Sequence, residues 1–153
     1  LVHLASMPAA QNEEGYRVLK YSPVGTVCTG GSADNDYVMQ RYSNVLLIKA
    51  ECLFRQNKEL AVALDLINQV RTRSKCAPLA LSDLSLATIE RERANEFIWE
   101  GKRRSDMIRF GSFFNTSWGV SHPNANPDKN TGIFPIPVNQ INSNPKLKQN
   151  PGY

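Results

Sequence analysis

The stretch "RYSNVLLIKAECLFRQNKELAVALDLINQVRTRS", residues 41–74, decides the fold. In its first half Val45, Ile48 and Cys52, with Leu46, Ala50, Leu53 and Phe54, recur at helical spacing and make a broad apolar face. The pattern breaks at Asn57 and Lys58 and returns with Leu60, Ala63, Leu64, Ile67 and Val70, leaving Asp65, Gln69 and Arg73 outward. These are two helices, and a connection so short forces them to pack antiparallel. Ala50 and Ala63 are small enough to let the two backbones approach closely.

Two such helices have the size of a tetratricopeptide-type hairpin. Lys49 departs from that pattern, no proline closes the unit, and a single hairpin is visible. One hairpin cannot bury its own faces, so it needs neighbouring helices, in this chain or beyond it. Residues 84–111 supply two more, broken at Gly101 and ended by Gly111, both suited to a left-handed cap. Glu90 and Glu92 lie near the start of the first, and Lys102, Arg103 and Arg104 follow its end, the charge order a helix dipole favours. The fold class read from this is all-α: a tetratricopeptide-like helical hairpin plus further helices, with long irregular loops and an extended Pro-rich C-terminal tail.

Around that helical region, residues 41–111, the chain reads differently. Residues 1–40 are mostly irregular, with "GYRVLKYSP" alternating well enough for a short strand and "VGTVCTGGSADND" a turn-rich loop. Residues 112–153 form a loop and then a tail. In the tail Pro135, Pro137, Pro145 and Pro151 exclude a central strand or a long helix, so it must run over a surface. Phe134, Ile136 and Val138 alternate with those prolines, as in a clasp laid across the helices.

Composition excludes several function classes. With 153 residues, 41% of them hydrophobic and 21% charged, the sequence suits one globular domain, and no apolar run approaches the ~18 residues of a membrane span. Leu1 stands in place of Met, and "LVHLASMPAA" has no basic n-region and too short an apolar stretch for a secretion signal, so the start reads as cut. The net charge of +4 comes from Lys and Arg interleaved with Glu and Asp, which argues against a nucleic-acid partner. Gly30 and Gly31 lack the Lys-Ser or Lys-Thr of a phosphate loop. Cys28, Cys52 and Cys76 are too far apart for a metal or redox pair and allow one disulfide at most, with Cys52 read as a small buried apolar residue. His3 and His122 have no partner at metal or triad spacing, so no catalytic residue, metal ligand or cofactor is expected.

The densest charge lies in "ERERANEFIWEGKRRSDMIRFG", residues 90–111. Glu92, Glu96 and Glu100 recur every four residues and repel one another unless cations answer them. Arg93, Arg103, Arg104 and Arg109 can do so, with Asp106 as a further carboxylate, in a partly buried network that fixes two helices across Gly101. The competing reading is a glycosidase, whose two carboxylates stand about 5–9 Å apart. A crowd of arginines would hold both carboxylates ionised and leave no acid of raised pKa, which counts against catalysis.

One loop has the chemistry of a sugar site. In "NTSWGVSHPNANPD" Trp118 sits among Asn115, Ser117, Asn124 and Asn126. A flat ring covers the C–H face of a sugar while amides and hydroxyls bond its rim; alternatively the ring packs down as a loop anchor.

Four stretches in succession, "RYSNVLLIKAECLFR", "ALDLINQVRTRS", "ERERANEFIWEGKRRSDMIRFG" and "FPIPVNQINSNPKLKQNPGY", resemble the consecutive signatures of the SusD/RagB family. The likeness runs from about Gly15 to Tyr153. It implies an all-helical body containing tetratricopeptide hairpins. It also implies a non-enzymatic lipoprotein on the extracellular face of a Gram-negative outer membrane. Such a protein binds glycans, or in some cases peptides, and passes them to a SusC-like TonB-dependent transporter. Against a complete member the sequence resembles the C-terminal portion, with the lipid anchor absent from this chain. The family's Glu-x-x-x-Glu-Gly-x-Arg pattern maps onto Glu96, Glu100, Gly101 and Arg103, where the resemblance implies a structural role. The alternative is a tetratricopeptide-type protein-interaction scaffold.

Overall fold

A computed structural model of the protein describes residues 20–21, 36–114 and 129–153. Two units divide the chain, residues 1–40 and 41–153. Of the first, the described residues lie in neither helix nor strand, and most of the expected strand at 15–23 and loop at 24–36 lies outside the described residues.

Among the described residues the architecture is all-α. Five helices follow in order: α1 (Tyr42–Arg55), α2 (Leu60–Arg73), α3 (Leu86–Glu96), α4 (Arg103–Phe110) and the short α5 (Val138–Ser143). Single 3-10 turns lie at Leu81–Asp83 and Lys129–Gly132. No helix of the described residues is long and apolar enough to cross a membrane.

The turns explain why the helices stop where they do. After α1 the amide of Lys58 donates to the Leu53 carbonyl and that of Asn57 to Phe54, with Asn57 left-handed at φ 52°. This double bond is the Schellman closure, which consumes carbonyls the helix end would leave bare. After α2 it recurs through Cys76 to Arg71 and Lys75 to Thr72, with Lys75 at φ 57°, and after α4 through Ser112 to Met107 and Gly111 to Ile108, with Gly111 at φ 80°. At the other end of α3, the Ser85 hydroxyl accepts the Thr88 amide at 3.1 Å, a side-chain cap of the usual kind.

The core is built from Leu46, Leu47 and Ala50 of α1, Ala63, Leu66, Ile67 and Val70 of α2, and Ile89 and Phe97 from α3 and its end. Ala50 and Ala63 are fully buried, which puts the two small residues where close helix approach needs them. Where the loop between α2 and α3 runs back over α2, the Asn68 side chain clamps it, donating to the Leu79 carbonyl and accepting the Leu79 amide. A backbone segment without a regular partner is thus satisfied by one amide side chain.

Three expectations are corrected. Val45 and Ile48 are 59% and 44% exposed and Cys52 is exposed, so the stripe they form does not face α2. Residues 45–48 are all apolar, and a helix apolar on both sides leaves the packing face undetermined by period alone. Second, α3 ends at Glu96, before Gly101; the chain then turns through Trp99 at φ 65° and through Gly101, which is left-handed as expected at φ 68°.

Third, the tail is not an extended clasp: α5 interrupts it, and Phe134 and Val138 are 71% and 67% exposed. It doubles back on itself instead. Gln149 brackets Ile136 by accepting its amide and donating to its carbonyl, Asn150 donates to the Phe134 carbonyl, and the Tyr153 hydroxyl donates to Ile133. Proline blocks a regular ladder here, so amide side chains replace it. Arg104 fastens this loop to α4, donating to the Thr131 carbonyl at 2.8 Å with its guanidinium 4.3 Å from the Phe134 ring centre.

The contrast between the two sides of α1 is testable. Leu47→Ala, removing a fully buried side chain, should destabilise the protein by about 2–5 kcal/mol, whereas Val45→Ala should stay within about 0.5 kcal/mol. Chemical denaturation of both variants checks this; equal losses would mean that both faces of α1 are packed.

Candidate functional site

The charged side chains of the described residues pair most densely where α3 and its following turn meet the start of α1 and the end of α2. Arg41 stands in extended conformation just before α1, and every nitrogen of its guanidinium is used. Nε donates to both Glu100 oxygens at 3.1 and 3.0 Å. Nη2 donates to Glu100 at 2.9 Å and to the Glu96 carbonyl at 2.6 Å. Nη1 donates to the Ser43 hydroxyl at 2.6 Å and to the Glu96 carboxylate. From the last residue of α2, Arg73 Nη2 reaches the same Glu96 carboxylate at 2.6 and 2.5 Å. The start of α1 and the end of α2 therefore converge on one side chain, which fixes the hairpin as antiparallel.

A second knot ties α4 to α1 and α3. Arg93, 2% exposed, pairs in a fork with Asp106 at 2.9 and 3.0 Å and lies 5.0 Å from the centre of the Phe97 ring. Arg109 bridges Asp106 at 2.8 Å and Glu51 at 3.0 and 2.9 Å, and Arg55 joins Glu51 at 2.8 Å. Nearby, Glu92 accepts from Arg71 of α2 at 2.6 Å.

These partners differ from those the sequence offered. The short bonds to Glu92, Glu96 and Glu100 come from Arg41, Arg71 and Arg73 of the first hairpin, and Arg91 beside Glu92 stands at 4.0 Å. Arg103 pairs with the more exposed Glu90 at 3.0 Å, and Arg104 goes to the tail. The ties therefore run between the hairpin and α3, and between α1 and α4, in addition to the Arg93–Asp106 link across Gly101. Burial pushes the Glu96 carboxyl upward, but hydrogen bonds from Arg73, Arg41 and Ser43 outweigh it and leave its pKa below the ordinary value. Glu51 behaves likewise: burial raises it, and Arg109 and Arg55 bring it down overall. Burial opposes the charge on Arg41, yet Glu100 and Glu96 raise its pKa on balance. Carboxylates held ionised in this way are the opposite of a poised general acid.

At least four cavities border the network, and two of them have aromatic side chains in their walls. One, of about 420 Å³, lies between the first turn of α1 and the last turn of α2, with Tyr42, Leu46, Val70 and Arg73 in its wall. The other, of about 400 Å³, lies at the corner from α3 to α4 beside Trp99. The proposed sugar-site residues Asn115, Trp118, Asn124 and Asn126 lie outside the described residues, as does Ser117. Sequence reading missed Arg41, Glu51, Arg55, Arg71 and Arg73 as network members. Glu51 carried a signal, since it falls beside Ala50 on the face of α1 that includes Leu47 and Phe54.

The model of the SusD family matches residues 4–153. The chain is similar to Starch-binding protein SusD of Bacteroides thetaiotaomicron, 34% identical over 125 residues that cover 78% of this chain and 22% of that protein. It is also similar to SusD-like protein P38 of Formosa agariphila, 30% identical over an alignment 157 positions long that covers 92% of this chain and 29% of that protein. The chain spans less than a third of the length of either relative.

The depressed carboxyl pKa values of Glu96 and Glu51 give stability a definite pH dependence. In each case the folded value lies below the unfolded one of about 4.3, so the unfolded chain binds more protons; the stabilisation is complete above that pH and is lost as pH falls through the folded values. Glu96→Gln should lower stability at pH 7 by about 1.5–3 kcal/mol, the scale of a charged hydrogen bond, and flatten the acid limb. Thermal melts from pH 7 to pH 2.5 check both effects; a variant that melts like its parent at every pH would remove Glu96 from the stabilising network.

Proposed function

This chain belongs to the SusD family, and from that premise we propose that it takes part in non-catalytic binding of glycans at the bacterial cell surface. In this reading the complete protein sits on the extracellular face of the outer membrane and delivers its ligand to a SusC-like TonB-dependent transporter. The chain serves as the C-terminal portion of its helical domain. The observation that carries the glycan reading is the kinship with a relative named for binding starch. The ion network supports the non-catalytic part, because Glu96 and Glu51 are held ionised between arginines. A second reading, a protein-interaction scaffold, draws on the exposed stripe of Val45, Ile48 and Cys52 on α1.

Titration of the full-length protein with a panel of oligosaccharides, beside an assay for new reducing ends, separates these readings. Saturable binding without new reducing ends is expected; turnover would overturn the non-catalytic reading, and capture of proteins with no glycan bound would favour the scaffold. Trp118 is proposed to stack on the sugar, with Asn115, Asn124 and Asn126 at its rim. Trp118→Ala should then abolish binding while shifting the melting temperature by no more than about 2 °C. Unchanged affinity would remove Trp118 from the site.

A further inference from the structure

The corner from α3 to α4 carries a combination of groups that packing alone does not explain. Trp99 is 77% exposed and sits at φ 65°, in the left-handed region where a bulky side chain is strained. It neither fills the core nor relaxes the turn, so its indole is displayed at a conformational cost that glycine would avoid. Beside it lies the cavity of about 400 Å³, walled by Phe97, Ile98 and Trp99 on one side and by Arg93, Arg103 and Arg104 on the other.

Three features give that cavity an unbalanced positive character. Arg93 spends Nε and Nη2 on Asp106, and its Nη1 is buried with no hydrogen-bond partner among the described residues. The first turn of α4, which begins at the cavity wall, has no side-chain cap; its acidic residue, Asp106, is already engaged by Arg93 and Arg109. Among the described residues Arg104 meets a carbonyl and the rings of Phe113 and Phe134, and no carboxylate. An uncapped helix start and guanidinium groups both favour an oxyanion.

We propose that this corner binds an acidic sugar unit, its carboxylate or sulfate ester directed to the α4 start and the guanidinium groups, its C–H face against the Trp99 indole. The inference rests on the glycan reading and adds a substrate class to it. A neutral sugar meets only the ring, and a simple anion meets only the charge. An oxyanion carried on a sugar ring meets both at once.

The test is calorimetric titration of the full-length protein with tetragalacturonate, a sulfated galactose oligomer and the neutral galactose tetramer. At least one acidic oligomer should bind about tenfold or more tightly than the neutral one, a gap that shrinks with added salt. The better of the two identifies the oxyanion. Arg104→Gln should narrow the gap. Trp99→Gly should weaken acidic binding while leaving the melting temperature unchanged or higher, because glycine relieves the left-handed turn and little buried surface is lost; lost binding is thereby separated from lost folding. Acidic oligomers that bind no better than the neutral one, or a Trp99→Gly variant of unchanged affinity for them, would overturn the proposal. Neutral binding without acidic preference sinks this corner alone, whereas no binding of any oligosaccharide sinks the glycan reading with it.

Discussion

The guanidinium of Arg41 is the point on which the described helices depend. Its donors reach the Glu96 and Glu100 carboxylates, the Glu96 carbonyl and the Ser43 hydroxyl, and Arg73 answers the same Glu96 from the far end of the hairpin. The Glu96 and Glu100 side chains are only 7% and 1% exposed. At such burial an unpaired carboxylate would be costly, and a fully paired one has few other arrangements open to it. Apolar contacts between α1, α2 and α3 supply most of the attraction, but they are tolerant of sliding. The bonds of Arg41 are not, because a fork of fixed geometry meets its carboxylates in one register.

The same economy governs the irregular segments. A loop lying against a helix carries amides and carbonyls that a sheet or helix would have paired, and each must find a partner or stay in water. Asn68 supplies both a donor and an acceptor to Leu79, and Gln149 does so for Ile136. Arg71 adds a bond to the Ala77 carbonyl at 2.7 Å while also holding Glu92. Two primary amides and an arginine thus fasten chain that proline and polar composition keep out of regular structure.

The hairpin was legible because its breaks and its periodicity agree: Asn57 and Lys58 fall at a helix closure, and Ala63, Ile67 and Val70 fall inside. Which side of α1 faces α2 was not legible, since Val45 and Ile48 are as apolar as Leu46 and Leu47. The charged character of residues 90–111 was evident, but its partners were not. Helical spacing specifies which charges share a face and says nothing of Arg41, 55 residues from Glu96 in sequence. The end of α3 at Glu96 was missed for a local reason: the turn uses Trp99 at positive φ, a choice propensity argues against. Of the candidate site, the sequence offered only a chemical type, a ring among amides, and it lies outside the described residues.

Electrostatic accounting links this scaffold to what is left for recognition. A carboxylate bonded by two guanidinium groups can neither release nor accept a proton near neutral pH, so Glu96 and Glu51 are committed to holding helices together. An arginine spent on such a pair has little left for a ligand. Among the guanidinium groups around α3 and α4, pairing is incomplete at Arg104, turned to carbonyl and rings, and at the buried Nη1 of Arg93, close to the exposed indole of Trp99. The network that stabilises the fold thus leaves the corner from α3 to α4 as one place among the described residues where a guanidinium charge is not fully spent.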